Sequence, residues 1–263
     1  MAQHVRTTLA ERIENDEPVY GVNVLSGSPA VIEALADIGL DYVWIDLEHA
    51  GPSPYDTNAI AGLARAAELA DLELLVRVPE ANRTMINKVV DAGADTVLVP
   101  KVERAEEAQA AVKAARFEYD GGPGSRGAPL TRSSGWLPAS PDLPEQADKS
   151  VTVGVMLETA TAAEATGEIL SVPGVAFGFV GPGDLSISLG HPLETDHPDV
   201  SAAVESIEHA AAESGVPLGR IATKPDDVVA AIENGYRVIR LGVDTVAIAQ
   251  TMTDRLAAVK ERL

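Results

Sequence analysis

The 263-residue chain contains no cysteine, and this absence excludes several classes of protein. A disulfide scaffold, a zinc–thiolate site, an iron–sulfur cluster and a cysteine nucleophile all require that residue. Any metal must therefore be bound by oxygen or imidazole ligands. The sequence also lacks an apolar run long enough to cross a bilayer, and residues 1–15 contain no apolar signal region. We therefore expect a soluble, cytoplasmic protein with no membrane partner.

Basic residues are scarce as well. The 20 Lys and Arg residues face 40 Asp and Glu residues, which gives a formal net charge of −20. Phosphates would be repelled by such a surface, so nucleic acid is not expected as a partner. Only six of the basic residues are lysine, and aromatic residues make up 4% of the chain. A dispersed acidic surface is typical of proteins from halophilic sources, and an ordinary acidic protein is the alternative.

Strand-like and helix-like segments alternate along the whole chain, with no linker between them. We predict strands at 20–25, 42–47, 72–78, 96–102, 151–157, 175–180, 217–222 and 238–243. We predict helices at 29–38, 57–69, 84–92, 105–116, 162–170, 202–214, 225–234 and 247–262. Eight strand–helix pairs predict a single-domain (β/α)8 barrel (TIM barrel) over residues 1–263. A doubly wound open sheet shows the same alternation, but residues 24–28 carry one glycine and no dinucleotide-binding fingerprint.

In a barrel of this kind, functional side chains lie where the strands end. Glu158 and Asp184 each follow an apolar predicted strand, and these two strands are consecutive along the chain. Two neighbouring carboxylates suit Mg²⁺ or Mn²⁺, and capping of the following helices is the alternative. The turn formed by Gly181, Pro182 and Gly183 allows backbone to approach an anionic ligand closely. The sequence therefore predicts a metal and 2-oxo acid site at this edge.

Three further residues at strand ends indicate acid–base chemistry. His49 comes three residues after Asp46, and an Asp–His pair suits a general acid or base. Arg77 ends the third predicted strand and could stabilise an enolate oxygen, or it could form a structural ion pair with Glu48 or Glu158. Lys101 could instead form a Schiff base, but a carboxylate-rich rim favours its ammonium form.

Several motifs together resemble the class II pyruvate aldolases of the HpcH/HpaI family. They are Asp-Leu-Glu-His-Ala at 46–50, Arg77, Asp-Ala-Gly at 91–93, Leu-Val-Pro at 98–100, Gly-Ser-Arg-Gly at 124–127, Glu-Thr at 158–159 and Gly-Pro-Gly-Asp-Leu-Ser at 181–186. The resemblance covers residues 19–251. It implies a barrel of the phosphoenolpyruvate/pyruvate type, with the last helix exchanged between subunits of a homohexamer built from dimers.

The resemblance also implies roles for individual residues. Glu158 and Asp184 match the ligands of a divalent metal, which could be Mg²⁺, Mn²⁺ or Co²⁺. His49 matches the general base and Asp46 its partner, while Arg77 matches the residue that stabilises the transition state.

The other implied positions concern the substrate and a second subunit. Asp91 matches an acid that reaches into a neighbouring subunit and raises the basicity of the histidine there. Gly183 matches a backbone position that binds substrate, beside Gly181. Met156 stands where many members have a glutamine that contacts substrate, and methionine has no amide N–H to donate. The departure leaves the metal chemistry intact but does not identify a particular substrate.

The expected function is metal-dependent, reversible cleavage of a 4-hydroxy-2-oxo acid, such as a 2-keto-3-deoxy sugar acid, to pyruvate and an aldehyde. The ligands are then a small 2-oxo acid and an aldehyde. An acyl-CoA lyase of the citramalyl- or malyl-CoA type is the alternative on the same barrel. A sensor that only binds 2-oxo acids is a second alternative, although the base, the arginine and both metal carboxylates are all present.

Overall fold

A computed structural model describes residues 8–128, 130–136 and 142–263. Eight parallel strands form a closed barrel in the order β1-β10-β9-β8-β7-β4-β3-β2, and β5 and β6 form a separate small hairpin. The predicted barrel is therefore confirmed. The strands are β1 Val19–Asn23, β2 Tyr42–Asp46, β3 Glu73–Arg77, β4 Thr96–Val99, β5 Glu118–Tyr119, β6 Gly122–Pro123, β7 Thr152–Leu157, β8 Phe177–Val180, β9 Leu218–Ile221 and β10 Tyr236–Val243.

Most barrel strands are buried on both faces, as expected where helices cover a parallel sheet. Alternate residues point to opposite sides of each strand, so two separate cores form. The outer core lies between strands and helices. The inner core fills the barrel and includes Trp44, Leu75, Leu98, Met156 and Phe179. The barrel is therefore packed with side chains, and ligands are confined to its rim.

The helices cover the barrel in the expected order. Gly93 ends α4 with φ +109° and Gly215 ends α10 with φ +70°, which are left-handed conformations that favour glycine. The helices are α1 Leu9–Glu14, α2 Pro29–Ala34, α3 Thr57–Leu69, α4 Arg83–Ala92, α5 Ala105–Ala115, α6 Leu143–Lys149, α7 Ala160–Glu164, α8 Thr166–Leu170, α9 Pro182–Ser188, α10 Pro198–Ser214, α11 Pro225–Glu233 and α12 Asp244–Lys260. No helix in these described ranges is both long and apolar enough to cross a membrane.

Some local structure differs from the sequence-based expectation. Between the helix predicted at 105–116 and the strand predicted at 151–157, the described part of the chain contains the β5–β6 hairpin, a 3₁₀ turn at Arg132–Ser134 and α6. The helix predicted at 162–170 is two short helices, because the chain leaves helical geometry at Ala165. These short elements are determined by local turns, which hydrophobic periodicity does not reveal.

The short helix α1, which the sequence did not indicate, closes the bottom of the barrel. Leu9 and Ile13 pack against the inner core. The backbone N–H of Leu9 donates to Glu73 Oε1 at 2.7 Å, so this inward-facing acid is held at the closed end. The opposite rim, where the strands end, is left for ligands.

The last helix, α12, packs poorly on its own chain. Only Asp244 at its start is buried, and every residue from 245 to 260 is exposed. Ile248, Met252, Leu256 and Val259 recur at helical spacing and are each at least half exposed. This stripe is the kind of surface that needs a partner.

Candidate active site

The predicted polar residues meet at one rim because parallel strands all end there. Asp46 and Arg77 are the last residues of β2 and β3 and are register partners. Glu158 directly follows β7, and Gly181 directly follows β8. Asp184 lies in the first turn of α9. Residues from four strands that are distant in sequence therefore share one site.

Arg77 is the centre of an ion-pair network. Its Nε and Nη2 donate to the two carboxylate oxygens of Asp46 at 2.9 and 2.5 Å. Its Nη1 lies 2.9 Å from Glu48 Oε2. Burial by itself lowers the pKa of Arg77, but the bond to Asp46 and the charge of Glu48 raise it above its ordinary value. The guanidinium is therefore a fixed positive charge with a fixed orientation.

The same bonds determine the state of Asp46. Burial favours the neutral acid, but the hydrogen bonds and the charge of Arg77, together with the backbone N–H groups of Glu48 and His49, outweigh burial and lower the pKa of Asp46. The backbone N–H groups of Glu48 and His49 also donate to its Oδ1, at 3.0 and 3.4 Å. Asp46 is therefore an ionised carboxylate that organises the turn after β2.

The structure differs from the expected Asp–His side-chain pair. The His49 ring is 59% exposed, and its Nε2 lies 3.7 Å from Glu48 Oε2. Asp46 contacts the His49 backbone instead of its ring. Arg77 occupies both Asp46 oxygens, which is why the imidazole turns away from this carboxylate. A direct role of Asp46 on the His49 ring stays a prediction.

Glu48 entered the sequence reasoning only as an alternative ion-pair partner of Arg77, and that ion pair is present. Its carboxylate is bound by Arg77 on one oxygen and by Lys101 Nζ on the other, at 3.1 Å. This bond to Glu48 is the main cause of a raised pKa of Lys101. The ammonium form is therefore favoured, and imine chemistry at Lys101 is disfavoured. The sequence feature that could have identified Glu48 as a site residue is its position inside the Asp-x-Glu-His motif.

The residues at the ends of β7 and β8 fit a divalent metal. Glu158 is 1% exposed, its Oε1 accepts the Lys101 backbone N–H at 2.9 Å, and its Oε2 is buried without a hydrogen-bond partner. Burial, together with the nearby charges of Asp184 and Glu48, raises the pKa of Glu158 to about 7. Hard cations prefer such clustered carboxylate oxygens. A bound metal ion would supply the positive counter-charge that Glu158 Oε2 lacks.

Space at the site is controlled by its glycines. A side chain at Gly181 would come within 2.9 Å of Glu158 Oε2 and 3.4 Å of Met156 Cε, so only glycine fits there without a shift. A side chain at Gly183 would meet nothing within 4 Å. Met156 Sδ lies 3.7 Å from Arg77 Nη1. Met156 and Gly181 therefore lie between Arg77 and Glu158.

Asp91 lies away from this rim. It is in the last turn of α4, which runs from the end of β3 back towards the start of β4. Its Oδ1 accepts from Ser133 Oγ at 3.2 Å and lies 3.7 Å from Arg126 Nη2. Burial raises its pKa. Within one chain, Asp91 does not join the site, and a contribution to a neighbouring subunit stays a prediction.

A second group of potential metal ligands lies in the connection between α9 and α10. His191 Nε2 is 2.8 Å from Asp199 Oδ2, and His197 Nδ1 is 3.7 Å from the same oxygen. His197 Nδ1 also accepts the backbone N–H of Asp199 and caps α10. These polar atoms are satisfied as they stand, unlike Glu158 Oε2.

Comparisons with known proteins agree with this geometry. A family model described as HpcH/HpaI aldolase/citrate lyase matches residues 20–251. A hydroxypyruvate/pyruvate aldolase from Paraburkholderia phytofirmans is 34% identical over 96% of this chain and 97% of its own. A 2-dehydro-3,6-dideoxy-6-sulfogluconate aldolase from Pseudomonas putida is 31% identical over 92% of each chain.

Solved structures agree as well. An HpcH/HpaI aldolase/citrate lyase family protein from Burkholderia cenocepacia matches with a TM-score of 0.88 and 34% identity, over 96% of this chain and 98% of that one. A citrate lyase beta subunit from M. tuberculosis, solved with oxaloacetate and magnesium, is 18% identical with a TM-score of 0.55, over 88% of this chain and 93% of that one. At that identity the second likeness concerns the fold alone.

Proposed function

Because the chain belongs to the HpcH/HpaI aldolase/citrate lyase family, we propose that it is a divalent-metal-dependent aldolase that releases pyruvate. It is a carbon–carbon lyase, and its substrate is a 4-hydroxy-2-oxo acid of the 2-keto-3-deoxy type. The observation that carries the metal requirement is the buried, unpartnered oxygen of Glu158 beside a second carboxylate, Asp184. The acyl-CoA lyase alternative is supported only in part, by the citrate lyase half of the family description and by a remote neighbour that shares the fold.

Glu158 and Asp184 would hold the metal, which could be Mg²⁺, Mn²⁺ or Co²⁺. A divalent ion held there would supply Lewis-acid polarisation of the 2-oxo group. The open space beside Gly183 accommodates the substrate carboxylate.

The remaining steps belong to the chain's own side chains. His49, whose ring is open to solvent, removes the proton from the C4 hydroxyl group. The C3–C4 bond then breaks, the aldehyde leaves, and the bond electrons form the enolate of pyruvate. Arg77 holds its guanidinium towards the Met156 side of the site and stabilises the growing negative charge. Protonation of C3 completes pyruvate.

A homo-oligomer is part of the proposal. The exposed apolar stripe of α12, at 248, 252, 256 and 259, is explained if this helix packs on a neighbouring copy. The same assembly could bring Asp91 to a neighbouring His49, and a hexamer built as a trimer of dimers is the proposed form. The chain has 40 acidic and 20 basic residues, and this excess of acidic residues supports a halophilic, cytoplasmic setting.

The test follows the methyl protons of pyruvate by NMR in D₂O, with protein that has been treated with a chelator and kept in concentrated KCl. Exchange with deuterium should appear only after Mg²⁺, Mn²⁺ or Co²⁺ is added. The Glu158→Gln variant should need far more metal, while the Glu205→Gln variant, altered at an exposed helix position, should behave as the wild type. Exchange without metal, or none with any metal in folded protein, would contradict the proposal.

A further inference from the structure

Arg240 is an inward-facing arginine in the upper half of the barrel. Arg240 lies two residues after Val238 on β10, and residues at this spacing share one face of a strand. Val238 belongs to the inner core, so the Arg240 side chain also points into the barrel. Its register partner on β9 is Ile221, the last residue of that strand. Arg240 is only partly buried, so the side chain remains open to ligands at the rim.

Arg240 shares an aromatic ring with the active-site arginine. Its guanidinium carbon lies 5.2 Å from the centre of the Trp44 ring, and that of Arg77 lies 5.8 Å from the same centre. Each stack holds a cation at a fixed distance from the indole. The two guanidinium groups therefore lie close to the same indole.

The partners of these cations differ. Arg77 is bound by two carboxylates and Lys101 by one. Arg240 forms no hydrogen bond and no ion pair with any described residue, and its Nε is buried without a partner. Burial lowers the pKa of Arg240, the positive charge of Arg77 lowers it further, and the nearby Tyr42 and Asp46 offset this only in part. A cation without a counter-charge inside a protein is unfavourable, so an anionic ligand is expected there.

Other polar atoms around Arg240 are also unpaired. Asn23 Oδ1, the Tyr42 hydroxyl and Trp44 Nε1 are buried with no hydrogen-bond partner. Asn23 and Trp44 are register partners on β1 and β2, and Gly21, the β1 partner of Arg240, leaves room for the Tyr42 ring. Native proteins rarely leave several such atoms unpaired in one place unless water or a ligand completes them.

We propose that Arg240 binds an anionic group on the aldehyde-derived half of the substrate, with Asn23 beside it. The inference rests on the proposed function. Glu158 and Gly181 place the pyruvate half at β7 and β8, whereas Arg240 lies on β10, with β9 between. The enzyme should therefore prefer aldehydes that carry a carboxylate or a similar anion. In a chain of net charge −20, an unpaired internal cation is what would admit such a ligand.

The test uses pairs of aldehydes that have equal length and differ in charge. Pyruvate addition is measured for glyoxylate against acetaldehyde, for tartronate semialdehyde against glyceraldehyde, and for succinate semialdehyde against butanal. Ionic strength is held constant, because salt screens exposed charges. The wild type should prefer the anionic member in kcat/KM in at least one pair.

The Arg240→Met variant keeps an unbranched apolar stem in the barrel and removes the guanidinium with its charge. The preference for the anionic member should fall by about 10- to 100-fold, the usual worth of a charge-assisted hydrogen bond. Arg240→Lys keeps the positive charge but not the planar guanidinium, so it should retain part of the preference for the anionic aldehyde. This variant also tests the proposal if Arg240→Met does not fold. Arg220→Met is the matched control, since Arg220 stacks on Tyr236 at 5.0 Å on the neighbouring strand and should leave the preference unchanged.

The outcomes separate the two hypotheses. Metal-dependent exchange of pyruvate with no preference for any anionic aldehyde would overturn the role of Arg240 and leave the aldolase intact. An equal loss for charged and neutral members in folded Arg240→Met protein would overturn it as well. Absence of metal-dependent exchange in the wild type would overturn the proposed function and this inference with it.

Discussion

Glu158 should make the metal-free protein less stable as pH rises. Its pKa is about 7 in the folded chain, against an ordinary value of 4.5. The folded state therefore holds this proton more tightly than the unfolded state. Below pH 4.5 the residue is neutral in both states and has no effect, whereas above pH 7 the folded state must bury a charge. The shift of about 2.5 units corresponds to a cost of about 3 kcal/mol at high pH.

The assay is urea unfolding of chelator-treated protein at fixed protein and salt concentrations, at several values between pH 5 and pH 8. The Glu158→Gln variant keeps an oxygen for the Lys101 N–H but cannot ionise. Its free energy of unfolding should rise relative to wild type by about 2 to 3 kcal/mol across this range. The Glu205→Gln variant, altered at an exposed helix position, should show no such divergence.

Added Mg²⁺ should reverse the ranking at pH 8, because the metal binds the carboxylate of folded wild-type protein and not the amide of Glu158→Gln. Parallel stability curves for Glu158→Gln and wild type without metal would refute the reasoning. So would a difference that shrinks as pH rises. Either result would mean that Glu158 is already compensated inside the metal-free protein.

Three other predictions follow from the site and from α12. His49→Ala should lower kcat for cleavage by about 10²- to 10⁴-fold with little change in metal affinity, measured by steady-state kinetics and metal titration. Gly181→Ala should weaken metal binding in a calorimetric titration, since its methyl group meets Glu158 Oε2 at 2.9 Å, whereas Gly183→Ala has free space and should not. Leu256→Glu should reduce the particle mass in light scattering at high salt, and an unchanged mass would argue against packing through α12.

Much of the site could be predicted from sequence, because a barrel places every strand end on one rim. The alternation of segments predicted eight strands, and Asp46, Arg77 and Glu158 then had to share an edge. Pairing among them could not be predicted in the same way. Arg77 binds both Asp46 and Glu48, and the His49 ring points elsewhere, because distances of a few ångströms decide which acid the guanidinium reaches.

The amino-acid sequence alone determined the number and order of the strand–helix units and the chemistry at the strand ends. Only the tertiary structure decided which strand residues face the barrel interior. Strands such as β2 and β3 are buried on both faces, so their sequences show no polar side to mark the outside. For this reason Trp44 and Arg240 could be placed beside Arg77 only once the barrel had closed, and the closing of its lower end by Leu9 required the same long-range packing.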